Sequence, residues 1–580
     1  MSAVTPIEHA VRPEKQGARR HYGSHPYFTK RAWNVVQEYV KRFSKPGDTV
    51  LDPFGGSGVT AVESLVLRRK AIYLDISEWA CFLARQTAIA PTDLGLLKAA
   101  FGSVEDAARP YIEELWKSDH RALRRRPVQD WYPAGQRLPS NADVETVEEL
   151  FTPRMLHGLA RLRAAILDVR DLRSRDLLLM AFSATLARIN RTFLSTTNRA
   201  ESRGGSAIFS IYRYKVAADV IELPLWDQFA RRVSRLLDAK RETNLLIGDF
   251  FDERQTARFI HGSATRLDAH VPPESIDYIY TDPPYGGNIA YLDLSMMWSA
   301  WLGFQISLRD RSDEVIEGGE LRKSREVYEE LLAASLHQMA TALKPGRWLS
   351  VVFAHRDTAY WDTLVNACAK AGLDYQNTVV QPVAVVWSMH KKKNPLRVLS
   401  GELVLNFRKT GGGERRRRPL PAGDPLQLVL ATCENSITQR HGCTTEELHH
   451  AVIPVLLEHG ALAKFGREHG DLTPILRAHF DFDAHHRRWH LQRDQPPFGR
   501  VPAEQLAAYH AVRTLSRLRH ANIGLTEAEF TAELNRRLAG KKRLDAANVR
   551  RLLRRIGYSP DGRHWRVRQD REQLPLQFTG

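Results

Sequence analysis

The feature that most constrains this chain is a strand, a glycine turn, a helix and a second strand, set within residues 49–75. Thr49-Val50-Leu51-Asp52 is a short apolar run ending in an acid. Gly55-Gly56-Ser57-Gly58 turns the chain, Val59 to Leu67 begins a helix, and Ala71-Ile72-Tyr73-Leu74-Asp75 is the next strand. Two strands joined through one helix run parallel, and a parallel sheet must be covered on both faces. Just upstream, Trp33 to Phe43 has helical apolar spacing, and Lys45-Pro46-Gly47-Asp48 reads as a turn.

The alternation then stops and returns much later. From about 96 to 245 the pattern is helical and Arg-rich, with Arg121, the run Arg124-Arg125-Arg126 and a Gly/Ser/Arg stretch from Arg199 to Ser206. Ser275 to Tyr280 is again a strand, ending at Thr281-Asp282-Pro283-Pro284-Tyr285, and Trp348 to Ala354 and Glu402 to Phe407 are later ones. We expect an α/β chain with a doubly wound, Rossmann-like sheet. Its halves, residues 1–95 and 246–410, are separated by a helical insert, 96–245. Gly411-Gly412-Gly413-Glu414 and Arg415 to Arg418 read as a basic flexible linker, 411–424.

The region 425–580 differs: helices, few strands, many histidines. It holds an internal echo. Phe480 to Leu491 resembles Tyr558 to Val567, each a hairpin after a helix. Capping boxes stand upstream at Thr444-Thr445-Glu446-Glu447 and Thr526-Glu527-Ala528-Glu529. That order suggests two tandem winged helices.

With 43% hydrophobic and 26% charged residues, the 580-residue chain has the balance of a soluble globular protein. No apolar run reaches roughly 18 residues, so no membrane span is expected. Arg19 and Arg20 have no apolar stretch behind them, so no secretory signal is expected. Four cysteines (Cys81, Cys368, Cys433, Cys443) exclude a disulfide scaffold and fit a reducing cytoplasm. The net charge of +17 favours a polyanionic partner, and residues 501–580, with 16 Lys and Arg against 8 Asp and Glu, supply +8 of it.

Asp52-Pro53-Phe54-Gly55-Gly56-Ser57-Gly58 lies between strand and helix, where glycines let a ligand approach the backbone and the helix N-terminus. The lysine of a phosphate-cradling loop is missing, which argues against nucleotide triphosphate hydrolysis. Gly56-Ser57-Gly58-Val59-Thr60-Ala61 fits a dinucleotide fingerprint, but a tight structural turn fits it too. Asp75, ending the next strand, can accept from two ribose hydroxyls, as NAD or S-adenosylmethionine requires; it can equally cap a helix, with Glu78 three residues on. Asp52 tips the balance, because a carboxylate there suits a ligand ammonium and repels a pyrophosphate.

Asp282-Pro283-Pro284-Tyr285 is the most specific signal. Two prolines stiffen the turn and remove two donors, so the Asp282 carboxylate and the Pro283 carbonyl can both accept from one exocyclic amine. Accepting both hydrogens favours a pyramidal nitrogen with an available lone pair. Tyr285 can stack on a base taken out of its duplex.

With these motifs the chain resembles the DNA amino-methyltransferases, the adenine-N6 and cytosine-N4 family, over roughly residues 20–95 and 245–410. The family's glycine motif matches Asp52 to Gly58, and its catalytic motif Asp282, Pro283, Pro284 and Tyr285. An N-terminal element, His25-Pro26-Tyr27-Phe28-Thr29-Lys30, matches the family segment lying over the methionine part of S-adenosylmethionine. The resemblance implies a methyltransferase sheet, that cofactor and no metal. Cofactor contacts are implied at His25, Thr29, Asp52, Phe54, Gly56, Ser57, Gly58, Asp75 and Ile76. A third strand end is implied at Gly262-Ser263-Ala264, so at Ser263 and Ala264, with Gly248-Asp249 as the rival position. Asp at the first motif position favours adenine over cytosine. Gly286 after the tetrapeptide is shared with RNA guanine-N2 methyltransferases, and a DNA-binding subunit on a degenerate methylase frame is a further alternative.

Double-stranded DNA is the expected partner, with other subunits of a restriction or phage-defence system as further candidates, in a prokaryotic cytoplasm at the nucleoid. Candidate DNA contacts are Arg199, Arg203, Tyr212, Arg213 and Lys215 in the insert and Arg550, Arg551 and Arg554 on a tail helix. His390 to Asn394 is a lesser basic loop. Tyr291, Met296, Met297, Trp298 and Trp301 read mainly as core. Cys433, Cys443, His441, His449 and His450 fit no usual zinc spacing.

Overall fold

A computed structural model describes residues 5–15, 18–192, 207–217, 219–355, 357–382, 402–410, 424–492, 511, 525–537 and 545–567. Arg199 and Arg203, the loop His390 to Asn394 and the glycine–arginine linker lie outside these residues. Packing divides the chain into two units, residues 1–355 with 363–415, and 356–362 with 416–580.

In the first unit α1 (Trp33–Phe43) leads into β1 (Thr49–Asp52), α2 (Val59–Val66), β2 (Lys70–Asp75) and α3 (Glu78–Ala88). The insert supplies α4 (Leu94–Lys117), α5 (His120–Arg125), α6 (Pro153–Leu167), α7 (Leu172–Leu186), α8 (Ala207–Ile211) and α9 (Leu225–Ile247). Asp93, Asp119, Thr152 and Asp171 each cap the first turn of α4 to α7 by accepting a backbone N–H, which fixes where these helices start. Then follow β3 (Ala257–His261), β4 (Ile276–Thr281), α10 (Tyr291–Leu302), α11 (Leu308–Asp313), α12 (Arg325–Ala342), β5 (Leu343–Phe353), α13 (Thr358–Lys370, of which residues up to 362 group with the second unit), β6 (Leu373–Gln381) and β7 (Glu402–Lys409).

The seven strands form one sheet in the order β3-β2-β1-β4-β5-β7-β6. All neighbours are parallel except β7, antiparallel to both β5 and β6. This is the doubly wound, Rossmann-like sheet expected from the sequence. Its two halves interleave: β3, from the second half, pairs with β2 from the first, while β4 pairs with β1 on the other side. The winding direction changes between β1 and β4, and ligands in such sheets bind beyond the carboxyl ends of the strands at that point. Asp52 and Asp282 both stand there.

The insert is not a detached domain. The apolar faces of α4, α6, α7 and α9 share a core with Trp79 of α3 and with Met297, Trp298 and Trp301 of α10. Trp298 is fully buried, stacks on Trp79 at 5.1 Å and donates its indole N–H to the Ser183 carbonyl at 3.0 Å. Replacing Trp298 by alanine is expected to cost about 3–5 kcal/mol, read by denaturant unfolding. A cost under about 1 kcal/mol would show that this shared core does not bind the insert to the sheet.

Within the second unit the order repeats. Helices α14 (Pro425–Arg440), α15 (Thr445–Glu458), α16 (Leu462–His469) and α17 (Leu472–His479) precede the hairpin β8 (Phe480–Asp483) and β9 (Arg488–Leu491). Then β10 (Leu525–Thr526), α18 (Glu527–Arg537) and α19 (Ala546–Ile556) precede β11 (Gly557–Tyr558) and β12 (His564–Val567). Equivalent positions pair in both: Cys443 bridges Trp489 antiparallel, and Leu525 pairs with Trp565. Thr444 and Glu447 form a reciprocal capping box, as do Thr526 and Glu529. Each hairpin turn carries an Asp–His pair, Asp483 with His486 at 2.9 Å and Asp561 with His564 at 2.6 Å. Among the described residues no helix is long and apolar enough to cross a membrane.

Candidate active site at the strand switch point

The glycine turn takes its shape from backbone contacts to β2. Gly55 N–H donates to the Leu74 carbonyl at 3.0 Å, and Gly56 N–H to Asp75 Oδ2 at 2.8 Å. A Cβ on Gly55 would lie 2.2 Å from the buried ring of Tyr73, whose hydroxyl donates to the Gly56 carbonyl at 2.7 Å. Gly58, with φ +80°, would bring a Cβ to 2.7 Å from the Cβ of Ala84, so its role is to let α2 pack against α3.

Turn, strand ends and proline corner surround one cleft of about 840 Å³, open solvent included. Asp52, Phe54, Gly56, Ser57, Asp75, Ile76, Ser263, Ala264 and Thr29 line it, as do Asp282 and Pro284. Ser263 and Ala264 come just after β3, beyond Gly262, whereas the rival Gly248-Asp249 stands at the end of α9. Two expected cofactor residues stand elsewhere. Gly58 does not line the cleft, for the packing reason given. His25 faces a smaller adjoining cavity, its Nε2 at 2.9 Å from Ser183 Oγ, and burial pushes its pKa down to about 3, leaving the ring neutral.

The strand-end acids differ in their partners. Asp52 Oδ1 accepts from Phe54 N–H at 3.2 Å and from Thr281 Oγ1 at 3.0 Å, which joins the end of β1 to the end of β4. Asp75 accepts from Gly56 N–H and, at 2.8 Å, from Ser77 N–H. The helix cap is Ser77, not Asp75. Burial pushes the Asp52 carboxyl up to about 7 and the Asp75 carboxyl up to about 6. Two desolvated acids at the end of adjacent strands suit a ligand with a cation near Asp52 and hydroxyls near Asp75.

At the proline corner, Tyr285 donates its hydroxyl to Asp282 Oδ1 at 2.5 Å and packs edge-on against Phe353 at 5.1 Å. Tyr285 is half-buried, not sealed in the core. The Pro284 carbonyl accepts from Tyr328 at 2.9 Å, and Pro283 is buried behind the turn. Arg31, which the motifs did not single out, lines the cleft and donates to Asp282, Tyr285 and Glu402. Tyr27 of the N-terminal element, Tyr291, which the sequence read mainly as core, and Glu314, which it did not single out, also line the cleft.

A family model described as DNA methylase, of the N6/N4 methyltransferase type, matches residues 6–86. Over this segment, about one-seventh of the chain, the sequence is similar to DNA methylases of the N6/N4 type. The type II methyltransferase M.MjaII of Methanocaldococcus jannaschii is 37% identical over 71 residues, 12% of this chain. The matched stretch spans only 13% of that relative. Among solved structures, TrmN from Thermus thermophilus aligns with a TM-score of 0.24 and 12% identity, over 65% of this chain and 49% of its own. The rRNA methyltransferase aviRa from Streptomyces viridochromogenes aligns with a TM-score of 0.23 and 11% identity, over 66% of this chain and 86% of its own.

The expected nucleic-acid residues that are described differ in their local surroundings. Arg213 is held in an ion pair with Asp143, Tyr212 packs on the insert core, and Lys215 is exposed. In the second unit Arg550 donates to Glu527 at 2.6 Å and Arg551 to Asn548 at 2.7 Å, while Arg554 is exposed. A different cluster stands on the insert. Gln228, Arg231, Arg232 and Arg235 recur at helical spacing on α9, and Arg188, just past the end of α7, reaches Gln228 at 3.2 Å. None of these four arginines is in an ion pair among the described residues, and burial with Arg235 and Arg188 nearby pushes the Arg232 pKa down to about 10. The ligand-type side chains that converge within 4.8 Å are Asp424, Glu468 and His469, not the cysteine–histidine set, among the described residues.

Proposed function

We propose that this chain is an S-adenosylmethionine-dependent DNA methyltransferase acting on an exocyclic base amine, adenine N6 in preference to cytosine N4. The observation that carries the reading is the Thr281–Asp52 hydrogen bond of 3.0 Å, because it brings the amine-accepting corner and the cofactor-suited acids onto one cleft. The residues fit the cofactor: Asp52 its ammonium, Asp75 its ribose, Ser263 and Ala264 its adenine side. The bound cofactor would supply an electrophilic sulfonium methyl. The chain's own work is to hold the flipped base against Tyr285, to accept the amine's hydrogens at Asp282 and the Pro283 carbonyl, and to exclude water.

Cofactor affinity should depend on pH with a definite sign. In the free protein the Asp52 and Asp75 carboxyls take up protons below about 7 and about 6, so each loses the charge that attracts a cation as pH falls. Affinity by calorimetry is expected to rise about tenfold or more between pH 5.5 and 8 and then level off. Affinity independent of pH would contradict the placement of the ammonium at Asp52.

Arg188, Arg231, Arg232 and Arg235, which hold no ion pair among the described residues, and the arginines of α19 are the candidate phosphate contacts. Replacing Arg231 and Arg235 together by serine should weaken DNA binding and lower the slope of log affinity against log salt by about 2. Removing residues 411–580 should weaken DNA binding more than cofactor binding. An unchanged slope or unchanged DNA affinity would remove the corresponding surface from the account. The rival reading, an RNA guanine-N2 methyltransferase, rests on Gly286 beside the tetrapeptide, and methyl transfer to tRNA without transfer to DNA would favour it. For cellular context we propose a restriction or phage-defence role at the prokaryotic nucleoid.

A further inference from the structure

Arg31 joins three elements that the sequence keeps far apart. Its Nε donates to Asp282 Oδ2 at 2.5 Å, its Nη2 to Tyr285 at 2.7 Å, and its Nη1 to Glu402, the first residue of β7. The Arg31, Asp282 and Glu402 side chains are 17%, 19% and 15% exposed, so solvent screens this group weakly. Two carboxylates so close and so desolvated cannot both stay charged without a cation between them. A protonated Asp282 would carry a donor where the amine needs an acceptor.

We propose that Arg31 and Glu402 are positioning residues that keep Asp282 an ionised, correctly aimed acceptor. Arg31 supplies the compensating charge, and Glu402 shares that charge so that the guanidinium does not engage Asp282 alone. This deepens the function proposed above and rests on it for the identity of the amine. It goes beyond the motif residues, since neither side chain lies in a recognised motif.

The other titratable groups facing Asp282 are Asp52, Tyr280, Tyr285, Tyr291 and Tyr27. Burial raises all four phenols and keeps them neutral. Burial also raises Asp282 itself, Glu402 pushes it further in the same direction, and Arg31 opposes both. Asp52, pushed up to about 7, is the group whose titration could overlap. Saturating cofactor separates the two, because its ammonium keeps Asp52 ionised.

The test is the titration of the Asp282 carboxyl by carbon-13 NMR in aspartate-labelled protein, with the resonance assigned by its loss in Asp282→Asn, alongside the pH profile of kcat at saturating cofactor. Arg31→Gln should move the Asp282 titration, and the acid limb of kcat with it, upward by about 1–3 pH units. Arg31→Lys should restore part of that change. Glu402→Gln should move both downward, with the cofactor Kd unchanged. Shifts of opposite sign are not produced by general loss of structure. Unmoved titrations, or shifts of the same sign in Arg31→Gln and Glu402→Gln, would overturn the proposal. If the carboxyl shifts as stated but the unaltered protein transfers no methyl to DNA, the electrostatic role stands and the proposed substrate fails.

Discussion

Replacing Asp282 by alanine should lower methyl transfer by about 10²–10³-fold while leaving cofactor affinity within a factor of about two. The carboxylate touches the cleft at the end of β4, whereas the cofactor-suited groups stand at the ends of β1, β2 and β3. In the proposed function its contribution is an interaction strengthened as the amine becomes pyramidal, so the loss is expected in kcat and not in ground-state binding. The substitution also leaves Arg31 between Glu402 and Tyr285, so the protein should stay folded. Single-turnover transfer and equilibrium cofactor binding, measured on the same preparation, check both halves. Equal losses in the two would mean that Asp282 holds the cofactor and does not act on the amine.

The second large effect is expected at Gly55. A methyl group there would stand 2.2 Å from Tyr73 Cε2, far inside van der Waals contact. Tyr73 cannot retreat: its ring is fully buried in β2 and its hydroxyl is bonded to the next residue of the same turn. Gly55→Ala should therefore cost about 1–3 kcal/mol of stability. It should also displace Gly56, whose N–H holds Asp75, and so reduce cofactor affinity much more than tenfold. Thermal unfolding and calorimetry read the two effects. A variant with unaltered affinity would show that the turn does not shape the cofactor cleft.

Much of the fold was legible because the constraints were local. The strands at 49–52 and 276–281 are short apolar runs closed by a glycine or proline turn, and both match closely. β6 was not read, and β3 was reached only through the strand end that the resemblance implies at Gly262-Ser263-Ala264. Ala257-Arg258-Phe259-Ile260-His261 has too few apolar residues for a buried run, and Leu373 to Gln381 carries Asp374, Gln376 and Asn377. These two form the outer edges of the sheet, and pairing with β2 and β7 makes them strands. β5 starts at Leu343, earlier than the apolar run, because its first residues, including Pro345 and Gly346, carry few strand signals.

The site divides in the same way. Residues in motifs could be named in advance because turn chemistry dictated their types. Arg31 could not, because its partners lie 251, 254 and 371 residues away and a lone arginine before a helix carries no signal. Tyr212, Arg213 and Lys215 were named as DNA contacts in the stretch that follows Ser206. The described part forms α8, and Tyr214 turns inward to donate to the Leu294 carbonyl at 2.5 Å. Arg213 was read as a phosphate contact from charge alone, and its engagement with Asp143 depends on a residue 70 positions away.

The most direct measurement is to incubate the protein with isotopically labelled S-adenosylmethionine and separate samples of unmethylated DNA and bulk RNA, and to identify the labelled nucleoside by mass spectrometry after digestion. The account predicts label in DNA on an exocyclic amine, as N6-methyladenine, and none in RNA. Label confined to RNA, or on a ring carbon of cytosine, would contradict it.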